Sequence, residues 1–370
     1  MRPLTILLLI GIMLSCSDRF QSKIIGEVTG IPADKVYLID AYDSKKRVDS
    51  TNYKNGKFEF IIEDNKEPFL ASIAYMTKTN EMMKLAYRNN KLSINGKKDG
   101  VAAFMTDDGT ITIKGDWAGV TSIFDTKHLE INAGPQNDYF QKYIHSNIGA
   151  IKNSSAEVHR IMFDRIKERV LENPSSFFLL GEIEKNKSSY HRSELKELIS
   201  HFDHRVQSSS QAKILHKYAS YMKEGDETTD PLSLKGPNGV IKANINRNKK
   251  LNMLVFWASW CIPCRSEIPQ IRKIKEEFKS PDFYIASISI DRKKEDWLNA
   301  LKVEKMDWDQ FTIDRDDDLK LNAQYDYSAI PLVVFTDQNG KILKRSTGAS
   351  SDAVEEFGSF IKSLLVKNTQ

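Results

Sequence analysis

From Met253 onward, apolar runs of strand length alternate with segments of helical spacing, and that alternation leaves few folds open to the chain. Strands are expected at Met253 to Trp257, Phe283 to Ile290 and Leu332 to Thr336, with helices at Cys261 to Lys279 and near Glu295 to Val303. A turn at Asn339-Gly340 leads to a strand at Lys341 to Lys344 and a last helix from about Asp352. Strands joined through helices imply a largely parallel sheet covered on both faces, closed by an antiparallel hairpin. In the last helix Val354, Phe357, Ile361 and Leu364 make one apolar stripe, and Asp352 with Glu355 resembles a capping box. This part of the chain is α/β.

The whole chain has 370 residues, more than one hydrophobic core organises, so it is modular. From Ser22 to about Trp117 short apolar stretches are punctuated by Asn55-Gly56, Asn95-Gly96 and Asp108-Gly109, dipeptides that suit tight hairpins. From Asn137 to about Met222 the spacing turns helical, as in Ile161, Met162, Ile166 and Val170, with Asn173-Pro174 separating two helices. The polar stretch from Glu224 to Pro231 marks the last boundary. The expected division is 1–15 as a leader, 16–22 as a tether, 23–117 as a β-rich, sandwich-like domain, 118–229 as a helical segment with linker, and 230–370 as the α/β domain. There is no internal repeat, and no catalytic constellation stands out before the last domain.

Composition narrows the function. With 40% hydrophobic and 28% charged residues, neither a mostly disordered chain nor a polytopic membrane protein fits. A net charge of +4, without a sustained basic block, argues against nucleic acid as a partner. Three cysteines, Cys16, Cys261 and Cys264, are too few for a disulfide-stapled scaffold and odd in number. The first follows Arg2 and an apolar run from Leu4 to Leu14, well short of the roughly 20 residues a membrane-spanning helix needs. That run reads as a signal peptide. Its end, Met13-Leu14-Ser15-Cys16, resembles the lipobox of bacterial lipoproteins, with Met13 where leucine is commoner. The resemblance implies lipidation of Cys16, a membrane anchor without a transmembrane helix, and a mature protein facing an oxidising compartment. Ser17-Asp18 is too short a signal to choose between inner and outer membrane.

Cys261-Ile262-Pro263-Cys264 lies directly after a strand and opens a helix. At that place the first thiol meets unpaired backbone N–H groups and the positive end of the helix dipole, which favour a thiolate, and the second can close a short disulfide. Pro263 is tolerated because a first-turn N–H has no intrahelical partner. Ile268, Ile271, Ile274 and Phe278 give the helix one buried face, and Pro269 is expected to kink it.

Phe256-Trp257-Ala258-Ser259-Trp260-Cys261-Ile262-Pro263-Cys264 resembles the active site of the thioredoxin superfamily, and Arg265-Ser266-Glu267-Ile268-Pro269 is similar to its extracytoplasmic TlpA/ResA-like branch. The resemblance covers roughly residues 230 to 366. It implies that Cys261 attacks and Cys264 resolves, that the two form a redox-active disulfide, and that Ile330-Pro331 is the cis-proline loop. Trp260, Ile330 and Pro331 are then the substrate-contacting residues. One departure is Val255, which stands where thioredoxin itself carries a buried acid six residues before its first cysteine. Glu267, similar to a glutamate of the TlpA/ResA-like branch, is the implied proton acceptor for Cys264, its pKa raised by partial burial. The alternative for Glu267 is a solvated helix surface. Residues 23 to about 222 resemble, less specifically, the β-rich domain and helical segment that precede thioredoxin-like domains in Bacteroidetes envelope proteins. Presentation or partner binding, or a spacer holding the redox domain off the membrane, fits that half equally.

Other uses of the cysteine pair fail. All seven histidines lie between His128 and His216, so the last domain supplies no imidazole for zinc, and Arg265 stands where a c-type haem site needs histidine. His201 and His204, with His191 nearby, are the only histidine cluster and read as an exposed helix face, so no metal is assigned. The expected activity is dithiol-disulfide exchange with disulfide-containing envelope proteins, without a cofactor, as a reductant fed by a membrane electron donor. An oxidase or isomerase of the same fold, and a binding or assembly lipoprotein using the fold as scaffold, remain the alternatives.

Overall fold

The computed structural model describes residues 20–365 except 44–45, 64–66, 95–96, 122–127, 146–150, 152–153, 223–227 and 349–351. The expected leader, Cys16, the Asn95-Gly96 turn and the first half of the polar boundary stretch lie outside the described residues. Two compact units emerge. The first holds the described residues up to Ala150 with Asp164–Lys185 and His201–Ser209, and the second holds the remainder. No helix among the described residues is long and apolar enough to cross a membrane.

In the first unit the strands are β1 (Ser22–Thr29), β2 (Lys35–Asp40), β3 (Arg47–Asn52), β4 (Lys57–Ile62), β5 (Leu70–Met76), β6 (Met82–Lys84), β7 (Tyr87–Ile94), β8 (Lys97–Val101), β9 (Phe104–Met105), β10 (Gly109–Asp116) and β11 (Glu130–Asn132). One sheet has the order β11-β10-β1-β4 and a second β3-β2-β5-β6, with β9 beside β5 and β7-β8 as a separate ribbon. Alternating burial along β1 and β4 points Ile24, Val28, Phe58 and Phe60 to one side, where they share a core with Val36, Leu38, Ile73 and Tyr75 of the other sheet. That is the sandwich-like arrangement expected.

Two details differ from the sequence reading. Strand structure continues past Trp117, because β11 pairs with β10 through Ile113 and Ile131. Asp108-Gly109 does not close a hairpin, since β9 pairs with β5 while β10 runs parallel to β1 in the other sheet. The same dipeptide chemistry that permits a tight reversal here lets the chain pass between sheets. Asn55-Gly56 does form a tight turn, with φ of 51° and 75° and reciprocal backbone bonds between Lys54 and Lys57, but β3 before it and β4 after it also belong to different sheets.

The helical segment comprises α1 (Gly134–Tyr143), α2 (Ala156–Glu172), α3 (Phe177–Lys185), α4 (Arg192–Ser200), α5 (His204–Gln207) and α6 (Ser210–Tyr221), with Asn173-Pro174 between α2 and α3 as expected. The division into units assigns parts of this segment to each of them.

The second unit adds β12 (Ser233–Lys235), β13 (Ile241–Ala243), β14 (Leu251–Trp257), α7 (Ile262–Glu277), β15 (Phe283–Ser289), α8 (Lys294–Glu304), β16 (Asp309–Thr312), α9 (Arg315–Tyr325), β17 (Leu332–Asp337), β18 (Ile342–Thr347) and α10 (Ala353–Leu365). Its seven strands have the order β13-β12-β16-β15-β14-β17-β18. The sheet is mixed, not largely parallel: only the β14–β15 and β15–β16 pairs run parallel. The difference comes from β17, which docks antiparallel on β14, and from the short strands β12 and β13, whose three residues each have too little apolar sequence to announce themselves.

All seven residues of β14 are buried, because both faces of the sheet are covered. Period-2 alternation sends Leu251, Met253, Val255 and Trp257 into a core with Ile268 and Ile271 of α7, Trp297 of α8 and Phe357 of α10. Leu254 and Phe256 enter the opposite core with Leu321 and Tyr325 of α9. Helix α7 runs uninterrupted through Pro269. In α10, Phe357 and Ile361 are buried but Leu364 is 36% exposed, so the apolar stripe is narrower at its end than the spacing implied.

The Asn339-Gly340 turn makes a specific stability prediction. Gly340 has φ of 86°, and a Cβ there would lie 2.1 Å from the Thr229 carbonyl oxygen. The turn is clamped by the Thr229 N–H and hydroxyl, which donate to the Gly340 carbonyl at 2.8 and 3.1 Å. Gly340→Ala is expected to lower unfolding free energy by about 3 kcal/mol, combining left-handed strain with overpacking. Equilibrium urea unfolding checks it, and a loss under about 0.5 kcal/mol, the range of a neutral surface change, contradicts it.

Candidate active site

Cys261 is the N-cap of α7, with extended backbone (φ −83°, ψ 94°), and its sulfur accepts a hydrogen bond from the Cys264 N–H at 3.2 Å. The Cys261 N–H donates to the Ala258 carbonyl at 3.1 Å, closing the turn that brings the chain from β14 into the helix. Cys261 and Cys264 are joined in a disulfide with Cα atoms 5.3 Å apart. The cysteines are buried, at 5% and 2% exposure, while Trp260 and Ile262 beside them are exposed at 64% and 79%. The sulfurs therefore sit recessed under an apolar rim. When reduced, a Cys261 thiolate would be stabilised by the backbone donor already aimed at its sulfur and by the helix dipole.

Strand pairing places the second half of the site. Phe256 of β14 lies opposite Leu332 of β17, so Pro331 stands at the sheet end where β14 hands over to the cysteine turn. The Ile330-Pro331 peptide bond is cis, as expected. The Gly348 N–H holds the Pro331 carbonyl at 2.8 Å, and Ile330 is half-buried against both cores. Glu267, three residues beyond Cys264 on α7, is 2% exposed, a fully buried position and not a solvated helix surface. Val255 is buried among apolar residues, so no acid comes from that strand position.

Residues 248–342 match the family described as thioredoxin-like. The C-terminal domain is thioredoxin-like. Residues 22–140 match a family described as a domain of unknown function, DUF4369, in agreement with the β-rich architecture of that region. ResA of Bacillus subtilis, named a thiol-disulfide oxidoreductase, is 27% identical over 110 residues, which make up 30% of this chain and 60% of the relative. The thioredoxin-like protein YneN of the same organism is 29% identical over 127 residues, 33% of this chain and 69% of that one. A second ResA, from Oceanobacillus iheyensis, is 29% identical and matched over 49% of its length. Among solved structures, the thioredoxin domain of a thiol-disulfide oxidoreductase from Bacteroides vulgatus is 24% identical, with a TM-score of 0.34, covering 38% of this chain and 99% of that domain.

Within the thioredoxin-like domain, sequence reasoning missed one group. Asp291, 7% exposed just past the end of β15, accepts from the Ser259 N–H at 2.9 Å, the Ser259 hydroxyl at 2.6 Å and the Ser289 hydroxyl at 2.7 Å. It braces the turn two residues before Cys261. The available signal was positional: Ser289 and Asp291 are polar residues at the carboxyl end of a mostly apolar strand next to β14, where open α/β sheets gather their site residues. On the other side, Arg265 Nε donates to Glu304 at 2.6 Å and Arg272 donates to the Glu304 carbonyl at 2.6 Å, fastening α7 to the end of α8.

The histidine reading needs correction. His201 and His204 are not the only histidines that come near one another, since His159 and His191 are brought together beside Glu194. Sequence proximity missed the pairing because His159 and Glu194 are 35 residues apart, on different helices.

Proposed function

We propose that the chain is an extracytoplasmic thiol-disulfide oxidoreductase, anchored through a lipid on Cys16, that reduces disulfides of envelope proteins. The observation that carries this reading is the Cys261–Cys264 disulfide at the N-terminus of α7, under an exposed apolar rim and at the same sheet end as cis Ile330-Pro331. The names of the curated relatives support it. This chain spans 60% of the length of the first of them, so its own activity, substrates and partners are part of the proposal.

In the reduced protein the Cys261 thiolate attacks one sulfur of a substrate disulfide, forming a mixed disulfide and releasing the other substrate sulfur as a thiolate that takes up a proton. Trp260, Ile330 and Pro331 hold the substrate chain beside the pair. The Cys264 thiol then gives its proton to Glu267 and attacks the Cys261 sulfur, which releases the second substrate thiol and leaves the Cys261–Cys264 disulfide. Two electrons have passed to the substrate. A membrane electron donor returns them to the enzyme. The DUF4369-like region presents the domain to partners or spaces it from the membrane.

The direction is tested by the reduction potential, measured by equilibrating the purified protein with dithiothreitol or glutathione buffers. A value near that of thioredoxin, about −270 mV, is expected, and one near the strong oxidant DsbA, about −120 mV, overturns the reductant reading. The proton-acceptor role has its own signature. Glu267→Gln is expected to slow resolution of the mixed disulfide by about 100-fold, the lower range for general-base catalysis, while Cys261 attack keeps its rate. Stopped-flow measurement of the two phases separates the steps, and equal slowing of both contradicts the assignment.

A further inference from the structure

We propose that His159, His191 and Glu194 form a binding site for a divalent transition-metal ion of the Zn2+ class, outside the thioredoxin-like family match. His159 lies near the start of α2, His191 immediately precedes α4, and Glu194 is in the first turn of α4. All three belong to the second unit. His159 Nε2 is 2.9 and 3.0 Å from the two carboxylate oxygens of Glu194, and both side chains are largely sheltered, at 17% and 16% exposure.

A hydrogen-bonded or ionic pair accounts for two of these groups, but not for the third. The His191 ring lies 5.1 Å from the His159 ring, centroid to centroid. One potential ligand atom from each of the three residues falls within 4.8 Å of the others. Zinc binds imidazole nitrogen and carboxylate oxygen at about 2.0 to 2.2 Å, so two ligand atoms about 2.9 Å apart subtend roughly 90° at an ion between them. His159 and Glu194 already have that spacing, and His191, which is exposed, completes the set by turning its ring inward.

The carboxylate is also held by a second donor. The His191 backbone N–H donates to Glu194 Oε2 at 2.8 Å, so the residue that offers the second imidazole also sets the direction of the acid. Such supporting hydrogen bonds tune and fix metal ligands. Two imidazoles and one carboxylate suit zinc and leave the remaining positions to water. The bound ion would tie the start of α2 to the start of α4 across a span of 35 residues.

The test uses the full mature chain with Cys261 and Cys264 oxidised, so that no thiolate competes for metal. Zn2+ is titrated against a chromogenic chelator, and thermal unfolding is followed with and without Zn2+. One equivalent per chain, with Kd of 10 μM or tighter, and a rise in Tm are expected, on the order of the mass-action stabilisation a ligand gives a native state. His191→Ala keeps the His159–Glu194 contact and the backbone N–H, so folding is preserved. It is expected to weaken binding at least tenfold and to remove the Tm rise. Glu194→Gln is expected to weaken binding similarly. Fewer than 0.2 equivalents bound at about 100 μM Zn2+, or the same Kd for wild type and His191→Ala, overturns the proposal.

Discussion

Cys261→Ser is expected to lower the rate of protein-disulfide reduction by at least about 100-fold, to the uncatalysed background, because a serine hydroxyl near neutral pH supplies no thiolate to attack sulfur. Cys264→Ser is expected to do something different. Cys261 keeps its place as the N-cap of α7, so attack proceeds, but no second thiol completes the exchange and mixed disulfides accumulate. The bound partners name the substrates. The measurement is recovery of Cys264→Ser from envelope preparations under non-reducing conditions, followed by release with dithiothreitol. Adducts absent from the double variant Cys261→Ser/Cys264→Ser support exchange with proteins, and adducts equally abundant in it refute the assignment of Cys261 as the nucleophile. Neither change is expected to unfold the domain. The pair closes a loop of only two intervening residues, which constrains the unfolded chain little, and the surrounding core of Val255, Trp257, Ile268 and Ile271 is untouched.

Asp291→Ala is expected to cost about 3 kcal/mol of stability, because it removes a buried acceptor from three donors at once and leaves the Ser259 N–H and two hydroxyls to find partners elsewhere. Asp291→Asn keeps the shape and one acceptor oxygen, and about half that loss is expected. The second consequence is functional. Ser259 sits two residues before Cys261, so releasing it loosens the turn that presents the sulfur to the Cys264 N–H. A fall in kcat/KM of about tenfold is expected for Asp291→Ala, measured well below its Tm so that the protein is folded during the assay. A variant destabilised as stated but with unchanged kcat/KM would make Asp291 a purely structural brace.

Much of the thioredoxin-like domain was legible beforehand because its central elements carry strong local signals. The apolar run of β14 and the 3.6-residue spacing of Ile268, Ile271 and Ile274 mark strand and helix without knowledge of neighbours. The short strands β12, β13 and β16 carry no such signal, and they exist because the edge of an established sheet offers backbone partners to whatever chain passes it. The antiparallel pairing of β12 and β13, and of β17 on β14, whose direction no local signal carries, is why the sheet was expected to be largely parallel and is mixed. The turn dipeptides behave similarly. Asn55-Gly56 and Asp108-Gly109 both permit a change of direction, but which sheet receives the outgoing strand depends on pairing with distant β1, not on the turn.

The sequence by itself marked the candidate site: a strand, a turn and a helix beginning at Cys261-Ile262-Pro263-Cys264, with Glu267 one turn further on and Ile330-Pro331 ahead of the last long strand. The cysteine pair after a strand and at a helix start is a relation within a few residues, so local geometry suffices to read it, whereas Glu267 and the distant Ile330-Pro331 were singled out by the resemblance to the thioredoxin superfamily. Only the tertiary structure decided that Glu267 is fully buried, that Asp291 braces the cysteine turn, and that His159 meets His191 and Glu194. Each of these depends on side chains 30 or more residues apart, or on what covers a helix face, and burial and long-range pairing come from the packing of the whole fold, not from the neighbours along the chain.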